Sequence, residues 1–365
     1  MSSAYFTVIT KAYLPFAKVL MARIRCLNPN ARQYVFFADN EDGFFKREDL
    51  SFECVFPEEF LETSTMKDLT FKYDAFELCN VLKAFAHRYM MERTSLSKWI
   101  YVDSDIVPVD DMMQLIDGED QGSIFITPHS NRPANDECVS QESSQLKYGI
   151  YNGGWLGIRR SDDSREFVDW FVTRLKSHGF REYRNAFVDQ LWLNLAPLHL
   201  DGVRVVKNDG ANIAYWNLFE RELSKNDRGD VFSNGVPIVF LHLSGWSLKR
   251  PELLSRHFGR APVPPAIKDI VAVYGEELLA AGWDRCQSWG YSWSRYENGK
   301  MIRLEDRRKY ADARDPFDET SRINPFLDGR FFKESPVKLI LICKREMGQA
   351  CRKLFDGFAR YLGIS

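Results

Sequence analysis

A chain of 365 residues is long enough for about two domains at roughly 100–200 residues each, or for one large domain with an appendage. Hydrophobic residues make up 45% and charged residues 27%, a globular composition that excludes a collagen-like or disordered chain. Lys plus Arg number 49 against 51 Asp plus Glu, and a net charge of −2 gives no field to hold a polyanion, which excludes nucleic acid as the default partner.

The segment Met1 to Thr10 has no basic stretch leading into a long apolar one, so a cleaved secretory leader is not expected. It reads instead as a buried strand over Tyr5–Thr10. A helix follows over Tyr13–Cys26, a strand over Gln33–Ala38, a helix over Ala75–Met91 and a strand over Trp99–Val107. Such alternation argues a parallel sheet covered by helices, and ligands in such sheets sit at the carboxyl ends of strands.

The mixed pattern continues through Ser123–Pro128, Tyr151–Arg159, Glu166–Leu175, Asn185–Leu195 and Pro237–Leu243, with no internal repeat. Three prolines at 263 to 265 then precede a helical stretch near Ile267–Ala281 and an aromatic one from Trp283 to Tyr296. The aromatic and arginine cluster Trp283, Trp289, Tyr291, Trp293 and Arg295 reads as packing in preference to a saccharide platform. We divide the chain into a domain over 1–250, an appended aromatic and charged region over 251–335, and a basic amphipathic C-terminal helix over 336–365.

That last helix carries Ile340, Cys343, Met347, Cys351, Leu354, Phe358 and Tyr361 on one stripe, with basic residues mostly opposite. The stripe fits docking on its own domain, with contact to an anionic membrane surface as the alternative. No window approaches the roughly 18–20 apolar residues of a spanning helix. The seven cysteines are scattered and odd in number, with no Cys-x-x-Cys pair. They read as reduced packing residues of a cytoplasmic protein, peripheral on the inner membrane face if it meets a membrane.

The sharpest local feature is Trp99-Ile-Tyr-Val-Asp103-Ser-Asp105. A strand running into carboxylates spaced i, i+2 is expected to present both on one face at the strand end, where they suit Mg²⁺ or Mn²⁺. A lone Asp-x-Asp is a weak signal; its place after an apolar strand strengthens it.

Here the residues resemble the GT-A-fold glycosyltransferases, in particular the retaining family-8-like enzymes and related bacterial cell-surface polysaccharide transferases. The resemblance spans roughly residues 5–250 as an ordered series of motifs. Thr10-Lys-Ala-Tyr13 is similar to the family's nucleotide-binding strand end, with Thr10 where many members carry Asp. Lys72-Tyr-Asp74 and Glu77 to Lys83 resemble the segment where a lysine approaches the donor. Asp103-Ser-Asp105 resembles the metal-binding Asp-x-Asp, and Asn152-Gly153-Gly154 the strand that contacts the donor sugar. Asp189-Gln190 to Asn194 is similar to the Asp-Gln-x-x-x-Asn helix, Asn212 to Asn217 to the later Trp-Asn turn, and His242-Leu-Ser-Gly245 to the His-x-x-Gly element that completes the metal site. Lys249 stands one position from the family's diphosphate lysine.

The resemblance implies a GT-A fold, a Rossmann-like mixed sheet with flanking helices, plus the appended C-terminal region. It also implies a metal-dependent hexosyl transfer from a nucleoside-diphosphate sugar, a UDP-sugar favoured, to a glycan or glycolipid acceptor, with retention at the anomeric carbon. On this reading Asp103, Asp105 and His242 hold Mn²⁺ or Mg²⁺. Thr10, Tyr13, Lys83, Asp103, Asn152, Gly153, Gly154 and Lys249 meet the donor, and Asp189 and Gln190 stand at the reacting carbon. The alternatives are a catalytically inactive sugar-nucleotide-binding scaffold and a sugar nucleotidyltransferase. His129 is read as structural or acceptor-side and left outside the site.

Overall fold

The computed structural model describes residues 2–119, 121–257, 261–313 and 324–327. The expected C-terminal helix over 336–365 lies outside the described residues. The chain divides into two compact units: one comprises residues 1–69 and 75–292, the other residues 70–74 and 293 onward.

The first unit is organised by a sheet. Strand β1 (Ser3–Ile9) is apolar nearly throughout and buried on both faces. Each large side chain withdrawn from water there contributes about 1.5–3 kcal/mol. Helix α1 (Leu14–Leu27) carries Pro15 in its first turn, where the missing N–H costs nothing, and buries Leu14, Ala17, Leu20, Met21 and Ile24. Then come β2 (Arg32–Phe37), β3 (Glu53–Val55), α2 (Ala75–Arg93) and β4 (Lys98–Val102). The expected strand over Trp99–Val107 breaks at the acidic pair, and Ile106–Pro108 forms a separate strand, β5. The mixed part of the sheet comprises β6 (Ile124–Pro128), β7 (Tyr151–Arg159) and β8 (Val203–Val205), with α3 (Asp162–His178) between β7 and β8. Ser161 caps α3, Asp162 and Asp163 sit in its first turn and Lys176 and His178 in its last, each sign where the helix dipole favours it.

The strand order is β8-β6-β7-β4-β1-β2-β3. Strands β4, β1, β2 and β3 run parallel, while β7 is antiparallel to both β4 and β6. This is the Rossmann-like mixed sheet with flanking helices that the sequence implied. A separate pair joins β5 to β9 (Phe240–His242), antiparallel, with His242 opposite Ile106. Helix α4 (Lys268–Ala280) buries Val271, Tyr274 and Leu278 in a core shared with Val107, Leu241 and Leu243. Trp289 is buried and stacks on Phe45, its centroid 6.1 Å away, so this member of the aromatic cluster is packing.

The second unit has its own small core of Phe71, Tyr296, Ile302 and Tyr310. Arg307, on α5 (Leu304–Ala313), is buried there and donates to the carbonyls of Thr70, Phe71 and Tyr73 at 2.9, 2.6 and 2.7 Å, which satisfies its charge. The five described cysteines are free thiols. Among the described residues no helix is long and apolar enough to cross a membrane.

Candidate functional site

The acidic pair is held in a turn between β4 and β5. The Asp103 N–H donates to Gly154 O at 2.8 Å, and the Ile106 N–H returns to Asp103 O at 3.1 Å. The two carboxylates therefore converge through a turn and not, as the spacing predicted, along one face of an extended strand. Antiparallel pairing of β5 with β9 then delivers His242, and the Leu243 N–H fastens the arrangement by donating to Asp105 O at 3.0 Å.

His242 Nε2 lies 3.3 Å from Asp105 Oδ1 and 3.9 Å from Asp103 Oδ2. One ligand atom from each of the three residues falls within 4.8 Å of the others. The imidazole is buried, while both carboxylate side chains keep about a third of their surface open, at 29% and 32%. The His242 tautomer follows from its neighbour. Asn212 donates its amide to Pro128 O at 3.1 Å, which turns its Oδ1 toward His242 Nδ1 at 3.3 Å. Nδ1 must then carry the proton, leaving the Nε2 lone pair facing the carboxylates. Burial opposes ionisation of Asp105, and only with His242 protonated at both nitrogens do its charge and its Nε2–H bond outweigh that and hold the carboxyl below the usual range.

Lys83, on the buried face of α2, spends its ammonium on Gly153 O at 3.0 Å, Asp189 Oδ2 at 3.1 Å and Asp103 Oδ1 at 3.2 Å. It also lies over the Tyr101 ring, 4.7 Å from its centroid, and the Tyr101 hydroxyl bonds Asp103. Burial alone would lower the Lys83 pKa, yet Asp103 and Asp189 raise it above the ordinary lysine value. Asp189 goes the other way for a carboxylate: burial, with Asp103 adding, raises it despite Lys83. Gln190 accepts from the Gly153 N–H at 3.2 Å and donates to Tyr148 O at 2.9 Å, so its amide is committed to the start of β7.

Two glycines make this convergence sterically possible. A Cβ on Gly153 would stand 2.5 Å from Asp189 Oδ2, and one on Gly154 would stand 2.4 Å from His242 Cε1 and 2.9 Å from Asp103 Oδ2. Asn152 accepts from the Gly154 N–H at 2.9 Å and donates to His129 Nε2 at 3.2 Å. His129 in turn faces Ile150 O through Nδ1 at 3.2 Å, which leaves Nε2 as the acceptor for Asn152. Burial pushes the His129 imidazole down to about 4, so it is neutral at physiological pH.

The structure thus brings together Lys83, Asp103, Asp105, Asn152, Gly153, Gly154, Asp189, Gln190 and His242. Thr10 follows β1, nearly buried, and its carbonyl accepts from the Tyr13 N–H at 2.9 Å. Tyr13 is half-exposed, and after burial the charge of Asp105 is what most raises its hydroxyl. Lys249 is exposed and makes no ion pair with any of these residues.

Sequence reasoning left out His129, the support of Asn152, and gave no role to Asn212 or Trp216. The Trp216 ring meets His242 edge-on at 5.0 Å, and the Asn217 amide donates to His129 O at 2.9 Å. The Trp-Asn turn and Thr127-Pro-His129 were the available signals.

The donor set fits a divalent cation. Two carboxylate oxygens and an imidazole nitrogen converge on one point, with no Cβ from residue 154 to block it. Counting His242 as neutral, three aspartates against Lys83 leave a local charge of about −2, which a divalent ion balances.

No family model matches the chain. It is 23% identical to the uncharacterized protein YfnF of Bacillus subtilis strain 168 over 256 residues, 68% of this chain and 83% of that one. Among solved structures it is similar to the galactosyltransferase LgtC in complex with donor and acceptor sugar analogues, at 14% identity and TM-score 0.43, covering 77% of this chain and 96% of that one. It is also similar to the glycosyltransferase GlyE of Streptococcus pneumoniae TIGR4, at 14% identity and TM-score 0.45, covering 81% and 67%.

Proposed function

We propose that the chain is a divalent-cation-dependent glycosyltransferase that moves a hexosyl group from a nucleoside-diphosphate sugar to a glycan or glycolipid acceptor with retention of configuration. The observation that carries this reading is the Asp103, Asp105 and His242 cluster, joined through Lys83 and Gly153 to Asp189 and Gln190. Against an inactive scaffold stands the intact Asp103, Asp105 and His242 set, and against a nucleotidyltransferase the lack of a Gly-rich basic signature at Thr10 to Tyr13.

Asp103, Asp105 and His242 would hold Mn²⁺ or Mg²⁺, which when bound supplies Lewis-acid stabilisation of the charge developing on a diphosphate leaving group. Asn212 keeps the Nε2 lone pair of His242 available, and Tyr101 and Lys83 keep the Asp103 carboxylate in place. Lys83 also holds the carbonyl of Gly153, and Gln190 its N–H, so both backbone polar groups of a residue assigned to the donor are held in place. Asp189 is buried and committed to Lys83. That arrangement suits steering the sugar better than taking a proton from an incoming acceptor, which supports retention. A UDP-sugar is the donor we favour, as the resemblance to the family implies.

The test is a thermal-shift panel of nucleotide sugars and nucleoside diphosphates with Mn²⁺ or with EDTA, followed by transfer to acceptor saccharides. A metal-dependent stabilisation by one nucleotide class names the donor's base. Anomeric NMR of the product then reads retention. No stabilisation of folded, metal-loaded protein by any of them overturns the reading.

A further inference from the structure

The resemblance put the diphosphate cation at Lys249, but the structure carries another cation to the same turn. Three residues after His242 the chain passes Gly245, and ten residues later it folds back on that point. Ser255 Oγ donates to Ser244 O at 2.8 Å, and the Arg256 N–H donates to Gly245 O at 3.0 Å. The His257 N–H donates to Ser255 Oγ at 3.0 Å. The His257 ring lies so close over Gly245 that a Cβ there would stand 2.4 Å from it, and Gly245 has φ +77. Since Leu243 of the same turn is bonded to Asp105 O, the segment Ser255–His257 is clamped to the backbone that carries the metal-site histidine.

The electrostatics agree with this placement. Asp105 and Arg256 act on the same two groups: on the Tyr13 hydroxyl, which Asp105 raises and Arg256 lowers, and on His257, which Arg256 lowers and Asp105 raises. In each case burial is the larger influence. Arg256 is exposed and has no ion pair among the described residues. Lys249 stands on a stretch whose neighbours Trp246 and Leu248 pack against Gly275 of α4, and it is absent from the charges acting most strongly on Tyr13, His257 or Asp105.

We propose that Arg256 is the donor-binding cation of this chain, pairing through its guanidinium with the diphosphate of a nucleoside-diphosphate donor beside the Asp103, Asp105 and His242 cluster. The proposal rests on the transferase reading and deepens it. A planar guanidinium presents two parallel N–H groups to phosphate oxygens, and the backbone clamp fixes the point from which the Arg256 side chain reaches them.

The experiment is calorimetric titration of the full chain with UDP, GDP and ADP, each with Mn²⁺. For whichever diphosphate binds the wild type, Arg256→Ala weakens binding roughly tenfold or more, and Arg256→Lys recovers part of the loss. Arg250→Ala, at an exposed arginine of the same loop that pairs with Glu252, stays within about twofold. An unliganded melting temperature equal to wild type shows that Arg256→Ala has folded. Unchanged binding by Arg256→Ala, with the loss at Lys249→Ala instead, overturns the proposal and leaves the transferase reading standing. Failure of the wild type to bind any of the three with metal present overturns both.

Discussion

Two buried lysines stand near the carboxyl edge of the same sheet, and they do different things. Lys11, just beyond β1, is fully buried and bonds Asp39 at 2.9 Å, Asp42 at 2.8 Å and Ser292 Oγ at 2.8 Å. Asp39 is saturated in return, receiving the N–H of Asn40 at 3.0 Å and of Ser292 at 2.9 Å besides the ammonium. Both oxygens of Asp39 are used, Asp42 keeps 41% of its side chain in water, and the cluster clasps the end of the first unit to its own sheet. Lys83 meets two aspartates, but a third, Asp105, and an imidazole lone pair stand beside it, and the adjoining wall is glycine. A buried lysine-aspartate pair is therefore not in itself the mark of a site. Uncompensated negative charge next to space kept free of side chains is.

The largest expected effect falls on catalysis. Asp105→Ala lowers transfer roughly a thousandfold and removes the Mn²⁺-dependent rise in melting temperature, because it deletes a ligand. Lys11→Met keeps that metal-dependent rise, since nothing in its cluster faces the cation. Loss of the metal response in Lys11→Met would erase the distinction between the two clusters.

Next in size is stability. Removing either lysine strands a buried carboxylate, Asp39 or Asp189, which costs about 3–5 kcal/mol by urea unfolding of the metal-free protein. The two variants should part on adding Mn²⁺. The Lys83→Met deficit narrows as the cation takes over neutralisation, whereas the Lys11→Met deficit does not. Equal rescue would mean that the metal stabilises the fold from elsewhere.

Smaller again is the steric contrast between glycines. Gly154→Ala puts a methyl group within 3 Å of His242, Asn152 and Asp103, and metal affinity should fall about tenfold or more by titration. Gly290→Ala, where a Cβ meets nothing within 4 Å, should leave the metal affinity unchanged.

Much of this was legible in the sequence because it is local. The alternation of apolar runs marked β1, α1, β2 and α2 to within two residues and the start of β4 to within one, though not its end, and Asp103, His242 and Asp189 each sit in a short motif. The rest depends on chain reversal. The Asp103 to Asp105 turn is set by β7, whose Gly154 carbonyl accepts the Asp103 N–H from fifty-one residues away in sequence. His129 and Asn212 act through a second side chain, so no spacing announces them. Arg256 reaches the His242 turn only because Ser255 happens to cap Ser244, a contact between two ordinary loop residues.

The subtlest prediction concerns sign more than size. Asp42 and Asp189 each bond a buried lysine, yet their carboxyls shift in opposite directions. For Asp42 burial pulls upward, but hydrogen bonds from Lys11 and Ser292 outweigh it and hold it below the ordinary value. For Asp189 burial dominates, Asp103 adds to it, and Lys83 only partly offsets them. A depressed carboxyl contributes stability that is complete above the usual carboxylate range and is lost as pH falls through its folded value. A raised one does the reverse, weighing against the fold as pH rises through that range. Asp42→Asn should therefore destabilise the metal-free protein at pH 7, by under about 1 kcal/mol for a partly exposed group, and the difference should fade in acid. Asn tolerates the positive φ of +50 at this position, so the substitution tests charge and not backbone. Asp189→Asn should stabilise the metal-free protein at pH 7 and lose that advantage in acid. Urea midpoints across the acid limb would read both, and two curves of the same sign would mean that the Lys83 cluster is a clasp like the first, with no charge left over for a cation.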